Sequence, residues 1–358
     1  MKICIVCLAR KGGMINYASK LSNSLSQYND VTVIVPEDFN GSFSDNIQLV
    51  KIKIPNSYFS REVMKFNVLL KEINRFNPDI IHITTIHPWL SFLAPFLKKK
   101  FIIVTTIHDI KLHLGEWHII WALSSWILKR YSDEILVHGK WAKDALVNEG
   151  ISKNKIEIIP LGNLSSFINN PNNIKETNSI LFFGRIEDYK GLEYLIMAEP
   201  LIKNEINDLK IIIAGEGDFN KYDDLIINKD SFKILNKFIP DEEVPFLFQI
   251  TKLVVLPYIE CTQTGVVPIA YTFKKPVVVT DVGSIPEIVE DGKTGFIVPK
   301  MDHKALAKAI IEILIDDDLR LKMGSNGYNK LEKELSWNIV TKELIKIYYY
   351  LLNKKINY

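Results

Sequence analysis

The chain has 358 residues, 47% of them hydrophobic and 24% charged. That length asks for two domains, and the globular composition excludes a disordered or fibrous chain. The formal charge is +2, but residues 1–162 hold 20 Lys/Arg against 14 Asp/Glu while the remainder holds 24 against 28; the basic first half either suits an anionic partner or is ordinary surface variation.

KICIVCL (2–8) reads as a buried strand. Cys4 and Cys7 are three apart on it, so they face opposite ways and cannot share a metal; they read as small buried apolar residues. Three cysteines make no disulfide framework at this length. The apolar run is cut short by Arg10 and Lys11, unlike a signal peptide, and no later run approaches the ~20 residues of a spanning helix. A cytoplasmic location is therefore expected, with the Asn-x-Ser triplets at Asn40 and Asn163 chance matches.

A glycine turn then leads into an amphipathic helix around 14–28. Further strands are expected at VTVIV (31–35), DIIHI (79–83), FIIVTT (101–106), EILVH (134–138) and KIEIIP (155–160), with helices around 61–76, 117–131 and 140–149. Most of these runs are continuous in Val, Ile and Leu, which marks strands covered on both faces of a parallel sheet. The β-α succession describes a doubly wound α/β domain over 1–165. The polar, Asn-rich segment 162–179 reads as a linker.

The rhythm restarts with SILFFG (179–184), a helix from about 191, LKIIIAG (209–215), SFKIL (231–235), KLVVLP (252–257), KPVVVT (275–280) and GFIVP (295–299). Helices near 303–315 and 317–334 complete a second α/β domain over 176–335, and a last helix follows at 336–353. Ligands of such sheets sit at the carboxyl ends of the strands, and in a two-domain arrangement those ends can face each other across a cleft.

The strongest local signal is SILFFGRIEDYKGLEYLIMA. A strand ends at Gly184, a loop carries Arg185 and Lys190, and Gly191 opens a helix. Glycine permits close backbone approach, and two cations five apart can clamp a diphosphate. The alternative is a pair of solvated surface charges. A second signal is LPYIECTQTGVVPIAYTFKKPVVVTDVGSIPE, in which Glu260 follows a strand and Thr262, Thr264 and Gly265 lead into a helix. A carboxylate beside backbone donors suits sugar hydroxyls and phosphate oxygens, unless Thr264 merely caps that helix. The turn TDVGSIPE can wall the same pocket, or Glu287 can simply sit in a helix's first turn.

In the first half, Gly12 and Gly13 do not make G-x-G-x-x-G, which disfavours a dinucleotide site, though a glycine pair still allows a ligand close to the backbone. TTIHD (105–109) puts His108 and Asp109 past a strand end, where His108 is either structural or cleft-facing. No phosphate loop, zinc-protease or nucleophile-elbow motif is present, and Asp316, Asp317 and Asp318 read as a solvated turn between helices.

Taken together, LARKGG, TTIHD, VHGKWAKDALVNEGI, IEIIPLGN, FFGRIEDYKGLEYLIMA, IIIAGEGD and TDVGSIPEIVEDGKTGFIVP resemble, in order, the retaining glycosyltransferases of family 4. The resemblance implies the GT-B fold, two Rossmann-like parallel-sheet domains facing across a cleft, with helix 336–353 returning to the first. It implies that Arg185 and Lys190 bind the donor pyrophosphate, joined by the Gly13 N–H, that His108 contacts the transferred sugar, and that Glu260 binds sugar hydroxyls. It also implies a metal-independent transfer from a UDP- or GDP-linked sugar to a glycan or lipid-linked hydroxyl, retaining anomeric configuration through charge stabilisation on the leaving group. Gly184, Thr264 and Gly265 complete the expected donor site; no nucleic-acid partner and no cofactor are expected. One departure stands out: the family's second Glu, eight residues after the first, is Pro268 here, or Ile269 with a one-residue insertion, so ribose must be held otherwise.

Trp117, Trp121 and Trp126 beside Lys129 and Arg130, and HPWLSFLAPFLKKK with its three lysines, suit interfacial helices on an anionic membrane, or else two core helices with cationic ends. The competing functions are a sugar-nucleotide epimerase of similar fold and a catalytically weak sugar-nucleotide-binding protein.

Overall fold

The computed structural model describes residues 1–10, 12–54, 66–110, 119–163 and 174–356, and the chain divides into two compact units. Lys11, Trp117 and most of the polar linker lie outside the described residues.

The first unit runs β1 (Lys2–Val6), α1 (Gly13–Leu25), β2 (Asp30–Pro36), β3 (Gln48–Ile52), α2 (Asn67–Phe76), β4 (Ile80–Ile83), α3 (Pro88–Leu97), β5 (Ile102–Thr106), α4 (Ile119–Tyr131), β6 (Glu134–Val137), α5 (Lys140–Asn148) and β7 (Ile156–Ile158). Its seven strands are all parallel, in the order β3-β2-β1-β4-β5-β6-β7. Alternate residues of β1 feed opposite faces. Ile3, Ile5 and Cys7 join one buried cluster, and Cys4 and Val6 join the other. Both cysteines are buried thiols. β3 lies at the sheet edge, and its Gln48–Ile52 stretch is mostly exposed, so it lacks the apolar run that announces its neighbours.

The second unit runs β8 (Ser179–Phe183), α6 (Leu192–Glu205), β9 (Lys210–Ala214), β10 (Phe232–Leu235), α7 (Val244–Ile250), β11 (Leu253–Leu256), α8 (Val266–Thr272), β12 (Val277–Thr280), α9 (Ile285–Ile288), β13 (Gly295–Val298), α10 (His303–Ile315) and α11 (Asp317–Lys330). The sheet is parallel in the order β10-β9-β8-β11-β12-β13. Ile180, Phe182, Ile211 and Ile213 pack under α6 and α10, while Leu181, Ile212, Val254 and Leu256 pack under α7, α8 and α9. Burying an aliphatic side chain of this size stabilises by about 1.5–3 kcal/mol. Two covered faces explain why the strand runs are continuous rather than alternating.

The last helix, α12 (Trp337–Ile356), belongs to the first unit. Val340, Leu344, Tyr348 and Leu351 fill the same cluster as α1. Thr341 Oγ1 donates to Ser24 Oγ at 2.6 Å, and Trp337 Nε1 donates to the Asn163 carbonyl at 2.7 Å. Among the described residues no helix is long and apolar enough to cross a membrane.

Candidate functional site

Each sheet reverses its strand order once, between β1 and β4 in the first unit and between β8 and β11 in the second. At such a switch point adjacent strands send their loops in opposite directions, which opens a crevice at the carboxyl ends.

In the second unit the two loops beside the switch carry most of the expected donor residues. The loop after β8 holds Gly184, Arg185 and a short 3-10 turn, Asp188–Lys190; the loop after β11 holds Tyr258, Glu260 and Thr264. Backbone bonds lock them together: Ile259 N donates to the Tyr189 carbonyl at 2.8 Å, and Glu260 N to the same oxygen at 3.3 Å. Gly191 takes φ 60°, and a Cβ there would lie 2.2 Å from the Pro257 carbonyl, so the close approach of the loops requires glycine.

The structure divides the two cations. Arg185 is 62% exposed and pairs with Glu187 at 3.0 Å. Lys190 is 8% exposed, which rules out a solvated surface charge. Its Nζ donates to the Tyr258 hydroxyl at 2.9 Å and stands 4.6 Å from that ring's centroid. Burial lowers its pKa below the ordinary lysine value. No described acid lies within 4 Å of the ammonium. An interior cation bonded to a neutral phenol, with Glu187 acting only from beyond ion-pair distance and already paired with Arg185, is under-compensated, and an anionic ligand would relieve it.

Glu260 is half-buried beside this loop. Thr264 is buried, and its Oγ1 accepts from Val266 N, the first residue of α8, at 3.1 Å. It thus secures the start of that helix. Gly265 precedes that seven-residue helix at φ −81°, a conformation any residue adopts, so its glycine character is not used there. The TDVGSIPE turn packs on the same loop, with Ser284 N donating to the Thr262 carbonyl at 3.0 Å. Glu287 is exposed in the first turn of α9. Pro268 and Ile269 both lie in α8, which holds no acid. Asp316 caps α11 by accepting from Leu319 N, and Asp317 pairs with Arg320 at 3.0 Å.

In the first unit the switch point is a pocket of ≈ 480 Å³. Leu8, Ala9 and Arg10 come from the loop after β1, Thr84, Thr85, Ile86 and His87 from that after β4, and His108 and Asp109 from that after β5; Trp121 of α4 lines it as well. His87 accepts from Trp89 N at 3.2 Å, capping α3 with Pro88 in its first turn. Gly13 is the first residue of α1 and exposed.

His108 is 6% exposed, and neither ring nitrogen has a hydrogen-bond partner among the described residues. It stands edge-on to Tyr17 at 4.5 Å and lies 4.8 Å from His138. Burial first, then the neighbouring His138 and His82, keep its pKa well below the usual imidazole value. It is therefore neutral, with one donor and one acceptor to offer a ligand hydroxyl. Gly13 and His108 belong to one unit, and Gly184, Arg185, Lys190, Glu260, Thr264 and Gly265 to the other.

Among the cations beside α3 and α4, Lys98 is ion-paired with Asp133, and Lys129 is buried against Glu149 at 2.6 Å. Trp121 lines the pocket, while Phe92, Phe96, Ile119, Leu123 and Trp126 are exposed on α3 and α4.

Known proteins resolve what these two crevices belong to. Residues 11–162 match the family described as Glycosyltransferase Family 4, and residues 165–330 match Glycosyl transferases group 1. The chain carries a Glycosyltransferase Family 4 domain followed by a Glycosyl transferases group 1 domain. It is 30% identical over 152 residues to the alpha-D-kanosaminyltransferase of Streptomyces kanamyceticus, spanning 41% of this chain but only 39% of that one. A capsular polysaccharide biosynthesis glycosyltransferase of Staphylococcus aureus is 26% identical over 277 residues, 72% of each chain. The glycosyltransferase has the GT-B fold of sucrose-phosphate synthase from Thermosynechococcus elongatus, with TM-score 0.80 at 18% identity over 99% of this chain and 100% of that one. Anabaena HepE, solved with UDP, superposes with TM-score 0.77 at 18% identity, covering 97% and 99%.

Sequence reasoning missed Tyr258, Arg10 as a pocket residue, and the partners of His108. Tyr258 left one clue, its place directly after a strand end and two residues before Glu260. Tyr17, His82 and His138 left none, because their meeting is a product of the sheet.

Proposed function

We propose that this glycosyltransferase moves a sugar from a UDP- or GDP-linked donor to a hydroxyl of a glycan or lipid-linked acceptor, with retention and without a metal. The observation that carries the reading is Lys190, a buried ammonium at the switch point of the second sheet with no described acid at ion-pair distance. A diphosphate supplies the missing charge. Arg185, exposed beside Glu187, adds a planar fork for a second phosphate oxygen. Together they stabilise the charge that grows on the departing diphosphate, which is the catalytic need when a glycosidic bond to phosphate breaks. Glu260 accepts from sugar hydroxyls on the same loop.

In the first unit's pocket His108 meets a hydroxyl of the transferred sugar, and Trp121 offers an apolar face. Anabaena HepE has been solved with UDP and with UDP-glucose, which makes uridine the first base to test. The capsular relative supports a polysaccharide or its lipid-linked precursor as acceptor. The exposed apolar residues of α3 and α4, next to Lys99 and Arg130, support docking on an anionic membrane.

Donors are screened by thermal shift, UDP-sugars before GDP-sugars, and turnover is then read as released nucleoside diphosphate. The Arg185→Ala, Lys190→Ala double variant should stay folded and lose turnover. Unchanged turnover would sink the site. Product formed without nucleoside diphosphate release would favour an epimerase instead.

A further inference from the structure

We propose that Tyr258 is a positioning residue that fixes the Lys190 ammonium for a diphosphate without neutralising it; this rests on the donor-site reading above. A lysine side chain has about 2 kcal/mol of rotamer entropy to lose on binding, so a free one is a poor preformed anion site. Here its end is held on two sides. The Tyr258 hydroxyl accepts from Nζ at 2.9 Å, and the other wall is the backbone of Gly184. A Cβ on Gly184 would come within 2.9 Å of Nζ, so the ammonium occupies the space a side chain would fill.

Tyr258 is itself fixed in the interior: it is 1% exposed, and its carbonyl accepts from Thr280 Oγ1 at 2.6 Å. The chemistry of the partner matters as much as its position. A carboxylate in this place would tether the lysine equally well but cancel its charge. Burial pushes the Tyr258 phenol above its ordinary range, so it stays neutral and the full positive charge remains for the ligand. An ammonium has three N–H donors, and the phenol takes one, leaving two for phosphate oxygens.

The test measures calorimetric binding of UDP, GDP and pyrophosphate to the full chain between pH 7 and 10. Tyr258→Phe keeps the ring and removes only the hydroxyl. Its affinity for the bound probe should fall about tenfold, the scale of one hydrogen bond to a charged group. Its alkaline loss of affinity should also begin at lower pH, because the hydroxyl favours the charged lysine. A merely structural tyrosine would leave that pH limb in place. Should Tyr258→Phe fail to fold by circular dichroism, nitrogen NMR of the parent's lysine ammonium groups reads the same link: one ammonium should be protected from exchange and that signal should vanish in Lys190→Ala, whereas the absence of any protected ammonium would overturn the assignment.

Lys190→Ala separates the two levels of the argument. If it binds as tightly as the parent, or if the parent binds none of the probes, the donor-site reading fails and the proposal falls with it. If Lys190→Ala loses binding while Tyr258→Phe keeps parental affinity and an unmoved limb, the assignment of Tyr258 alone is wrong.

Discussion

The Tyr348 hydroxyl on the last helix meets Nδ1 of His82 at 2.6 Å, 266 residues away in the chain. The other nitrogen of the same ring lies 2.7 Å from Thr106 Oγ1, and Thr106 lines the first unit's pocket. A neutral imidazole donates from one nitrogen and accepts at the other, so both of its bonds must be kept for the ring to be buried at no loss. The seating of α12 is thereby tied to the floor of the pocket.

Tyr348→Phe breaks this link while filling the same space. It strands one His82 nitrogen in a fully buried site, which costs about 1–3 kcal/mol. Urea unfolding of the full chain should show an earlier transition. An unchanged midpoint would mean that the bond adds nothing.

Acid should destabilise the first unit. Burial lowers the pKa of His82 to about 3 and those of His87 and His138 to about 4, each with smaller charge effects, and holds His108 well below the usual value. For a histidine lowered in the folded state, the unfolded chain takes up the proton first. Its stabilising contribution is complete above about pH 6.5 and drains away as pH falls towards 4 and then 3, by about 1.4 kcal/mol per pH unit for each ring. Glu134, raised to about 7 chiefly by burial, works the other way, since its folded form is eased by protonation as pH falls from about 7 to its ordinary 4.5. With four histidines against one carboxyl, melting temperature should drop between pH 7 and 5. A flat or rising profile would contradict the buried neutral state of these rings.

Gly184→Ala tests the wall behind Lys190 from the other side. The residue sits at φ 119°, a conformation that disfavours a side chain and costs about 1–3 kcal/mol when forced. The added methyl also displaces the ammonium. A lowered melting temperature together with weaker UDP binding is expected. Full affinity in a destabilised protein would show that the lysine can shift without consequence.

The membrane proposal turns on three exposed side chains. Phe92, Phe96 and Trp126 are 54%, 57% and 62% exposed, so replacing all three with serine should leave stability within about 0.5 kcal/mol per site. Co-sedimentation with phosphatidylglycerol vesicles at low salt should be lost in the triple variant. If the parent chain itself stays in the supernatant, no docking occurs on this face.

Much of the architecture was legible because its cause is local. Runs such as ICIV in β1 and LVVL in β11 are apolar at every position, and only a strand covered on both faces satisfies such a run, so two parallel sheets follow from the residues themselves. Arg185 and Lys190 were legible as a pair for a similar reason, a loop placed between a strand end and a helix start. Their different fates were not. Whether Lys190 points to water or into the interior depends on Tyr258, 68 residues further on and brought alongside only by the neighbouring strand β11. The same holds for Lys129, whose position in a basic pair says nothing of Glu149, and for His82, whose partner arrives on the final helix. Sequence by itself determined which segments must be buried, because hydrophobicity is carried by each residue alone. Tertiary structure decided which polar groups meet in that interior, because a hydrogen bond or an uncancelled charge is a property of two residues and the space between them.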